Sequence, residues 1–217
     1  WEGRTLPARL YAARGWEGDL TRAIGSLPSQ DDPQLFMNRT LSVFYLEGMR
    51  QYLGGRLALS KGIRDEAREY HKALMETGAR LLRLQENANR SSSLSEYLRA
   101  LRTLEVLEVE LRGFIALSGD AQQRRSAYNW FQSAVDKQLP PTLLMPPTVV
   151  YPMEIRLADF YLRSEQPTKA AEAFQAALER QPNDLASLHG YQQALLALGR
   201  RKDAAAIGKQ IEIVRDQ

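Results

Sequence analysis

A spacing of 34 residues recurs towards the C-terminus of this chain and limits the folds that it can adopt. Ala170 lies 34 residues before Ala204, and Leu162 lies the same distance before Leu196. Self-similarity at a fixed period of about 20–50 residues is typical of repeat proteins, in which each unit buries its apolar face against its neighbours. The spacing therefore predicts helix pairs that stack along the chain.

Helical signals run along almost the whole sequence. Asp32 followed by Pro33 predicts a helix start, because an acceptor side chain at the N-cap and proline at the first helical position both suit a helix N-terminus. A capping box at Ser93 and Glu96 predicts another start, and apolar residues follow it at intervals of three and four. The one strand candidate, residues 148–151, is short and flanked by prolines. The sequence therefore predicts an all-α fold.

Turn signals divide this helical pattern into parts. Lys61-Gly62 and Gly119-Asp120 each predict the end of one helix and the start of a returning one. We interpret the sequence as a single helical-repeat domain covering residues 1–217. Its parts, in chain order, are a truncated repeat at 1–28, a long helix pair at 33–90, a helix pair at 94–138, a proline-rich connector at 139–152, and two repeats at 151–184 and 185–217.

The connector at 139–152 differs in composition from the rest of the chain. It contains five prolines and almost no charge, so it cannot form the interior of a helix. Apolar residues such as Leu143, Leu144 and Val149 make it too apolar for an exposed linker. We expect it to pack back across the helices and to fill the groove that they form.

Segment 151–184 resembles the consensus of the tetratricopeptide repeat. The small residues of this consensus let two helix backbones approach closely, and a proline ends the second helix. The matching positions are Leu157, Ala158 and Tyr161 in the first helix, with Ala170, Phe174, Ala177 and Pro182 in and after the second.

Segment 185–217 repeats this plan less faithfully, as terminal repeats that cap a stack often do. It departs from the consensus at Gln192, Gly208 and Ile211. The resemblance implies antiparallel helix pairs stacked as a right-handed α-solenoid. The order of parts, beginning with the Leu-Pro-Ala-Arg segment at residues 6–9, is similar to the C-terminal half of a group of long, mostly bacterial tetratricopeptide-repeat proteins with no agreed activity.

The composition excludes several classes of site. The chain has 29 basic and 26 acidic side chains, a formal charge of +3, which argues against the clustered basic face that nucleic-acid binding needs. It contains no cysteine, so disulfides, thiolate nucleophiles and cysteine zinc sites are absent from the sequence. No apolar run reaches the length of about 18 residues that predicts a membrane-spanning helix. The sequence does not predict the cellular compartment.

We find no pattern in the sequence that predicts catalysis. There is no glycine-rich phosphate loop and no nucleophile motif. Glu108 and Glu110 fall on opposite sides of a helix, and Glu108 is predicted to form a surface pair with Arg112. We interpret His71 as a packing residue, and His189 lacks the second ligand that a metal site needs. We therefore predict that the chain is not an enzyme and that it binds no cofactor or metal.

The helical array predicts instead a surface for a protein or peptide partner, because the first helices of stacked pairs line an extended groove. A carboxylate clamp is not predicted, since Ile155 and Asp159 replace the Lys and Asn that the family uses for it. The candidate partner-binding residues are Tyr52, Arg56, Ile155, Asp159, Arg163, His189 and Gln193. The other interpretation is that these side chains only form a solvated surface and bind no partner.

A second function class is a structural segment that stacks on itself or on further repeats. We expect an apolar N-terminal edge, formed by Trp1, Leu6, Tyr11 and Trp16, to favour such association. The sequence begins at Trp1 in the middle of a pattern, from which we expect a processed product or a fragment of a longer chain. The identity of the partner is not predicted.

Overall fold

A computed structural model describes residues 1–33, 35, 39–88, 94–138, 149 and 152–216. Across these residues the chain forms ten α-helices and no strand, which confirms the all-α prediction. The chain divides into two compact units, unit 1 at Trp1–Val150 and unit 2 at Tyr151–Gln217. The helices are α1 Glu2–Arg14, α2 Glu17–Ser26, α3 Arg39–Ser60, α4 Arg64–Ala88, α5 Leu94–Leu117 and α6 Ala121–Lys137 in unit 1, and α7 Glu154–Arg163, α8 Pro167–Arg180, α9 Leu185–Ala197 and α10 Arg201–Arg215 in unit 2.

Unit 1 is built from consecutive antiparallel helix pairs, because short turns join α1 to α2, α3 to α4 and α5 to α6. Helix α3 also packs against α5. Gly62 takes the left-handed conformation, with φ of 75°, where α3 ends. Asp120 caps α6 in a reciprocal capping box with Gln123. Both predicted breaks, at Lys61-Gly62 and Gly119-Asp120, are therefore confirmed.

The core of unit 1 is continuous from α1 to α5. Buried apolar side chains from all five helices form one cluster, with Tyr45 and Leu53 of α3 completely buried within it. The ring of Trp1 packs against that of Tyr45, with 4.4 Å between their centroids. The N-terminal helix pair is thus attached to the longer helices through α3.

Unit 2 consists of the pairs α7–α8 and α9–α10. Helices α7 and α8 lie within segment 151–184, and α9 and α10 lie within segment 185–217. Ala158, Ala170, Phe174 and Ala177 are fully buried between the helices. A Cβ atom on Gly190 would come within 2.1 Å of the Phe174 ring, so α9 can lie against this ring only because it has no side chain there.

The Asp32-Pro33 pattern predicts a helix start at residue 33. Residues 33 and 35 have 3₁₀ geometry, residues 34 and 36–38 lie outside the described residues, and α3 is described from Arg39. The Asp32 carboxylate accepts a hydrogen bond from Arg4 of α1, with 2.5 Å between Nη2 and Oδ2. The Ser93 cap and most of the connector at 139–152 lie outside the described residues, as does most of the candidate strand at 148–151.

None of the helices in the described ranges is both long enough and apolar enough to cross a membrane.

The close contacts at glycine make a testable prediction about stability. A Cβ on Gly113 of α5 would meet the Phe131 ring at 2.6 Å, and one on Gly54 of α3 would meet the Tyr70 ring at 2.6 Å. We expect Gly113→Ala and Gly54→Ala each to lower the free energy of unfolding by about 1–3 kcal/mol, because the rings cannot yield without repacking. Urea denaturation followed by circular dichroism measures this change.

Gly78 of α4 supplies the matched control, since a Cβ there meets nothing within 4 Å. Gly78→Ala should stabilise the protein by about 0.5–1 kcal/mol, the intrinsic helix preference of alanine over glycine. Equal effects of all three substitutions would contradict the role assigned to the close contacts.

Candidate functional site

Two of the predicted partner-binding residues, Tyr52 and Arg56, lie in the interior of unit 1. Their relative exposures are 2% and 6%, and Glu110 of α5 beside them is 1% exposed. The Tyr52 hydroxyl donates to Glu110 Oε2 at 2.6 Å and accepts from Arg56 Nη1 at 2.7 Å. Arg56 Nη1 also lies 3.6 Å from Glu110 Oε1. These three side chains, the buried triad, are satisfied by one another.

The Arg56 guanidinium is enclosed on further sides. Its central carbon lies 4.1 Å from the centroid of the Phe114 ring, an arrangement that stabilises a cation over an aromatic face. Gly15, in the turn between α1 and α2, has φ of 73°, and a Cβ there would meet Arg56 Nη2 at 2.6 Å. The triad therefore joins α3, α5 and the α1–α2 turn. At this burial it has a structural role and offers no surface to a partner.

The other predicted residues lie in unit 2 and differ in exposure. Ile155 is buried in the core of α7–α9, so its side chain is not available at the surface. Asp159 and His189 are half-buried, whereas Arg163 and Gln193 are exposed. Burial raises the pKa of the Asp159 carboxyl, and the nearby cations Arg156 and Arg163 oppose that shift. Four of these five side chains are therefore accessible, on the first helix of each pair.

A groove that the sequence did not predict lies between α4 and α5 of unit 1. It encloses about 230 Å³ and is open to solvent. Seven of its nine lining residues are apolar or glycine, and the other two are carboxylates. The lining residues are Leu74, Met75, Gly78, Ala79 and Leu82 of α4, with Leu101, Leu104, Glu105 and Glu108 of α5.

The apolar side chains of this groove are unusually accessible. Met75 is 50% exposed and Leu82 is 42% exposed, whereas Leu74 and Leu104 are almost completely buried at its base. Gly78 adds open space, since a Cβ there meets no atom within 4 Å. Exposed apolar side chains grouped around one groove form a candidate interaction surface.

Both carboxylates of the groove have partners on the protein. His71 Nε2 lies 2.5 Å from Glu108 Oε1, and Arg102 Nη1 lies 2.9 Å from Glu105 Oε2. The predicted surface pair between Glu108 and Arg112 is wrong, because Arg112 stacks over the Trp130 ring at 3.7 Å. His71 packs partly exposed, as predicted, but it also orients a carboxylate.

The sequence of α4 carries one signal for this groove, which sequence reasoning missed. Met75, Gly78 and Leu82 recur at intervals of three and four, next to the buried positions Leu74 and Leu81. The apolar surface of α4 is thus wider than one core-facing stripe needs. That excess width was the available signal.

Within the described ranges no group of three or more His, Asp or Glu side chains is placed to hold a metal ion. The groove combines apolar walls with two hydrogen-bond acceptors, which suits an apolar ligand that carries donors. No family model, curated protein or solved structure matches the chain.

The buried triad makes a prediction about stability. Glu110→Ala leaves the Arg56 cation buried without its partner, and we expect it to lower the free energy of unfolding by about 3–5 kcal/mol. Tyr52→Phe removes a hydroxyl that bonds both partners, and it should cost about 1–3 kcal/mol. Chemical denaturation of each variant measures these losses.

A control for the triad comes from the exposed pair of Arg68 and Asp65, with 2.7 Å between Nη1 and Oδ1. Asp65→Ala should cost no more than about 1 kcal/mol, because an exposed pair and a carboxylate in the first turn of a helix each contribute little. If Glu110→Ala proved as neutral as Asp65→Ala, the triad would have no structural role.

Asp159 makes a prediction about pH. Its pKa is higher in the folded chain than in the unfolded chain, so the folded state binds more protons between the two values and loses stability as pH rises through them. Asp159→Asn should therefore stabilise unit 2 at neutral pH. The difference from wild type should vanish when pH falls below the ordinary aspartate pKa of 3.8. Thermal unfolding between pH 3 and pH 7 tests this, and a constant difference across that range would contradict the assignment.

Proposed function

We propose that this chain is a non-enzymatic scaffold that binds another protein. The proposal includes a tetratricopeptide-like arrangement of its helix pairs. Support comes from unit 2, where Ala158 and Ala170 are fully buried between helices, as close pairing of such repeats requires. The accessible side chains Asp159, Arg163 and Gln193 supply further contacts on that unit.

The observation that carries the proposal is the α4–α5 groove. Its volume of about 230 Å³ is below the range of about 300–1,000 Å³ that is typical of small-molecule and cofactor sites. One or two large apolar side chains of a polypeptide suit it better. Polypeptides commonly dock in this way, with a few apolar anchors in a groove between helices. The groove is therefore proposed as the main docking site.

A second candidate function is self-association through α1. Leu10 is 51% exposed and Trp16, which follows α1, is 76% exposed. Leu6 lies one turn before Leu10 and is also exposed. An apolar array edge of this kind tends to associate with a further helix pair or with a copy of itself.

The two functions are separated by one pair of matched variants. Leu82 of the groove and Leu10 of α1 are both helical leucines about half exposed, so glutamate at either position should leave the fold intact. The tagged chain is used to capture proteins from the native source, and each variant is compared with wild type. We expect Leu82→Glu to abolish recovery of a stoichiometric foreign protein and Leu10→Glu to leave it unchanged.

Recovery of the foreign protein by both variants would overturn the groove as docking site. The capture experiment would favour self-association instead if wild type recovered only further copies of this chain and Leu10→Glu abolished that recovery. Sedimentation velocity of the purified variants separates this second outcome from indirect capture, because a self-associating chain changes its mass with concentration.

A further inference from the structure

We infer that the occupant of the α4–α5 groove is an amphipathic helix whose apolar ridge is flanked by lysine or arginine along one side. The inference rests on the proposed function and deepens it, since it names the chemistry of the partner at the same groove. It follows from the dimensions of the groove, from the shape of its α4 wall and from the charge of its α5 wall.

The groove has the length of a short helical ridge. Its α4 wall runs from Leu74 to Leu82, which at about 1.5 Å per residue is about 12 Å. Two apolar side chains one turn apart on a partner helix lie about 6 Å from each other. The groove therefore takes two such anchors, at positions i and i+4, with space for contacts on either side.

The α4 wall is shaped for close approach by a helix. Gly78 and Ala79 lie between the larger side chains of Met75 and Leu82, so the middle of the wall is low. Small residues at this point let a second backbone come near, while the unbranched Met75 side chain can adjust to the anchor beside it.

The α5 wall gives the partner its charge. Glu105 and Glu108 are the charged residues among those that line the groove. One hydrogen bond from His71 leaves Glu108 with further acceptor capacity, because a carboxylate has about four lone-pair directions. The pair of Glu105 with Arg102 is about 40% exposed and exchanges readily for another cation. No charged residue of α4 lines the groove. The basic residues of the partner helix therefore lie on one side of its apolar ridge, the side that faces α5.

Synthetic helical peptides test this inference with the intact chain. The probes are fluorescein-labelled 14-residue helices that carry Leu, Met, Phe or Trp at the two anchor positions. Each anchor set is made in three forms, with Lys, Gln or Glu flanking one side of the ridge. We expect the best Lys form to bind about tenfold more tightly than its Gln form in fluorescence anisotropy, and the Glu form to bind least.

Variants of the protein locate the effect. Glu105→Gln with Glu108→Gln should reduce the affinity of the Lys form to that of the Gln form, because both carboxylates are then neutral. Glu172→Gln on α8, an exposed glutamate of unit 2, is the matched control and should change nothing. Leu82→Glu should abolish binding of the Gln form, which depends on the apolar anchors alone.

Three results would overturn the inference. These are equal binding of the three charge forms, preference for the Glu form, and absence of binding by every peptide. In each case the capture experiment decides the proposed function separately. If Leu82→Glu still abolishes recovery of the native partner, the groove is a docking site for a ligand of other chemistry; if it does not, the proposed function fails as well.

Discussion

Close approach between helices, made possible by glycine opposite a bulky side chain, is the constraint on which both units depend. Gly55 of α3 faces Leu111 of α5, and Gly113 of α5 faces Phe131 of α6. Gly190 of α9 lies against Phe174 of α8 in the same way. Each of these bulky side chains is fully buried, so the contact combines a short distance between backbones with a large buried area. These contacts set how closely the helices α3 and α5, α5 and α6, and α8 and α9 approach one another.

The sequence predicted the features that local chemistry determines. The turns at Gly62 and Asp120 follow from residue types within a few positions of each turn. The sequence did not predict the features that depend on contacts between residues far apart in the chain. The local sequence predicts that Arg56 is a surface cation on a helix. Its side chain is instead buried beside Glu110, which lies 54 residues later in the sequence. The groove was missed because its two walls come from separate helices, and no single helix pattern contains both.

A buried charge pair needs its own explanation, because well-packed apolar residues are often at least as stabilising. In unit 1 the triad is stabilised by more than the attraction between the charges of Arg56 and Glu110. Tyr52 bridges the two charges, Phe114 covers the guanidinium and the α1–α2 turn closes over it at Gly15. These contacts are directional, so they constrain the rotation of α5 about its axis.

That rotation is what gives the groove its charge. Successive helical residues are about 100° apart around the axis, so Glu108 points roughly away from Glu110 while Glu105 and Glu108 share a face. Anchoring Glu110 to Arg56 in the core therefore turns Glu105 and Glu108 towards α4, beside Met75 and Leu82. The buried triad and the accessible groove are two consequences of one helix orientation. Under the proposed function, Glu110 in the core thus determines which charges the groove offers to a partner.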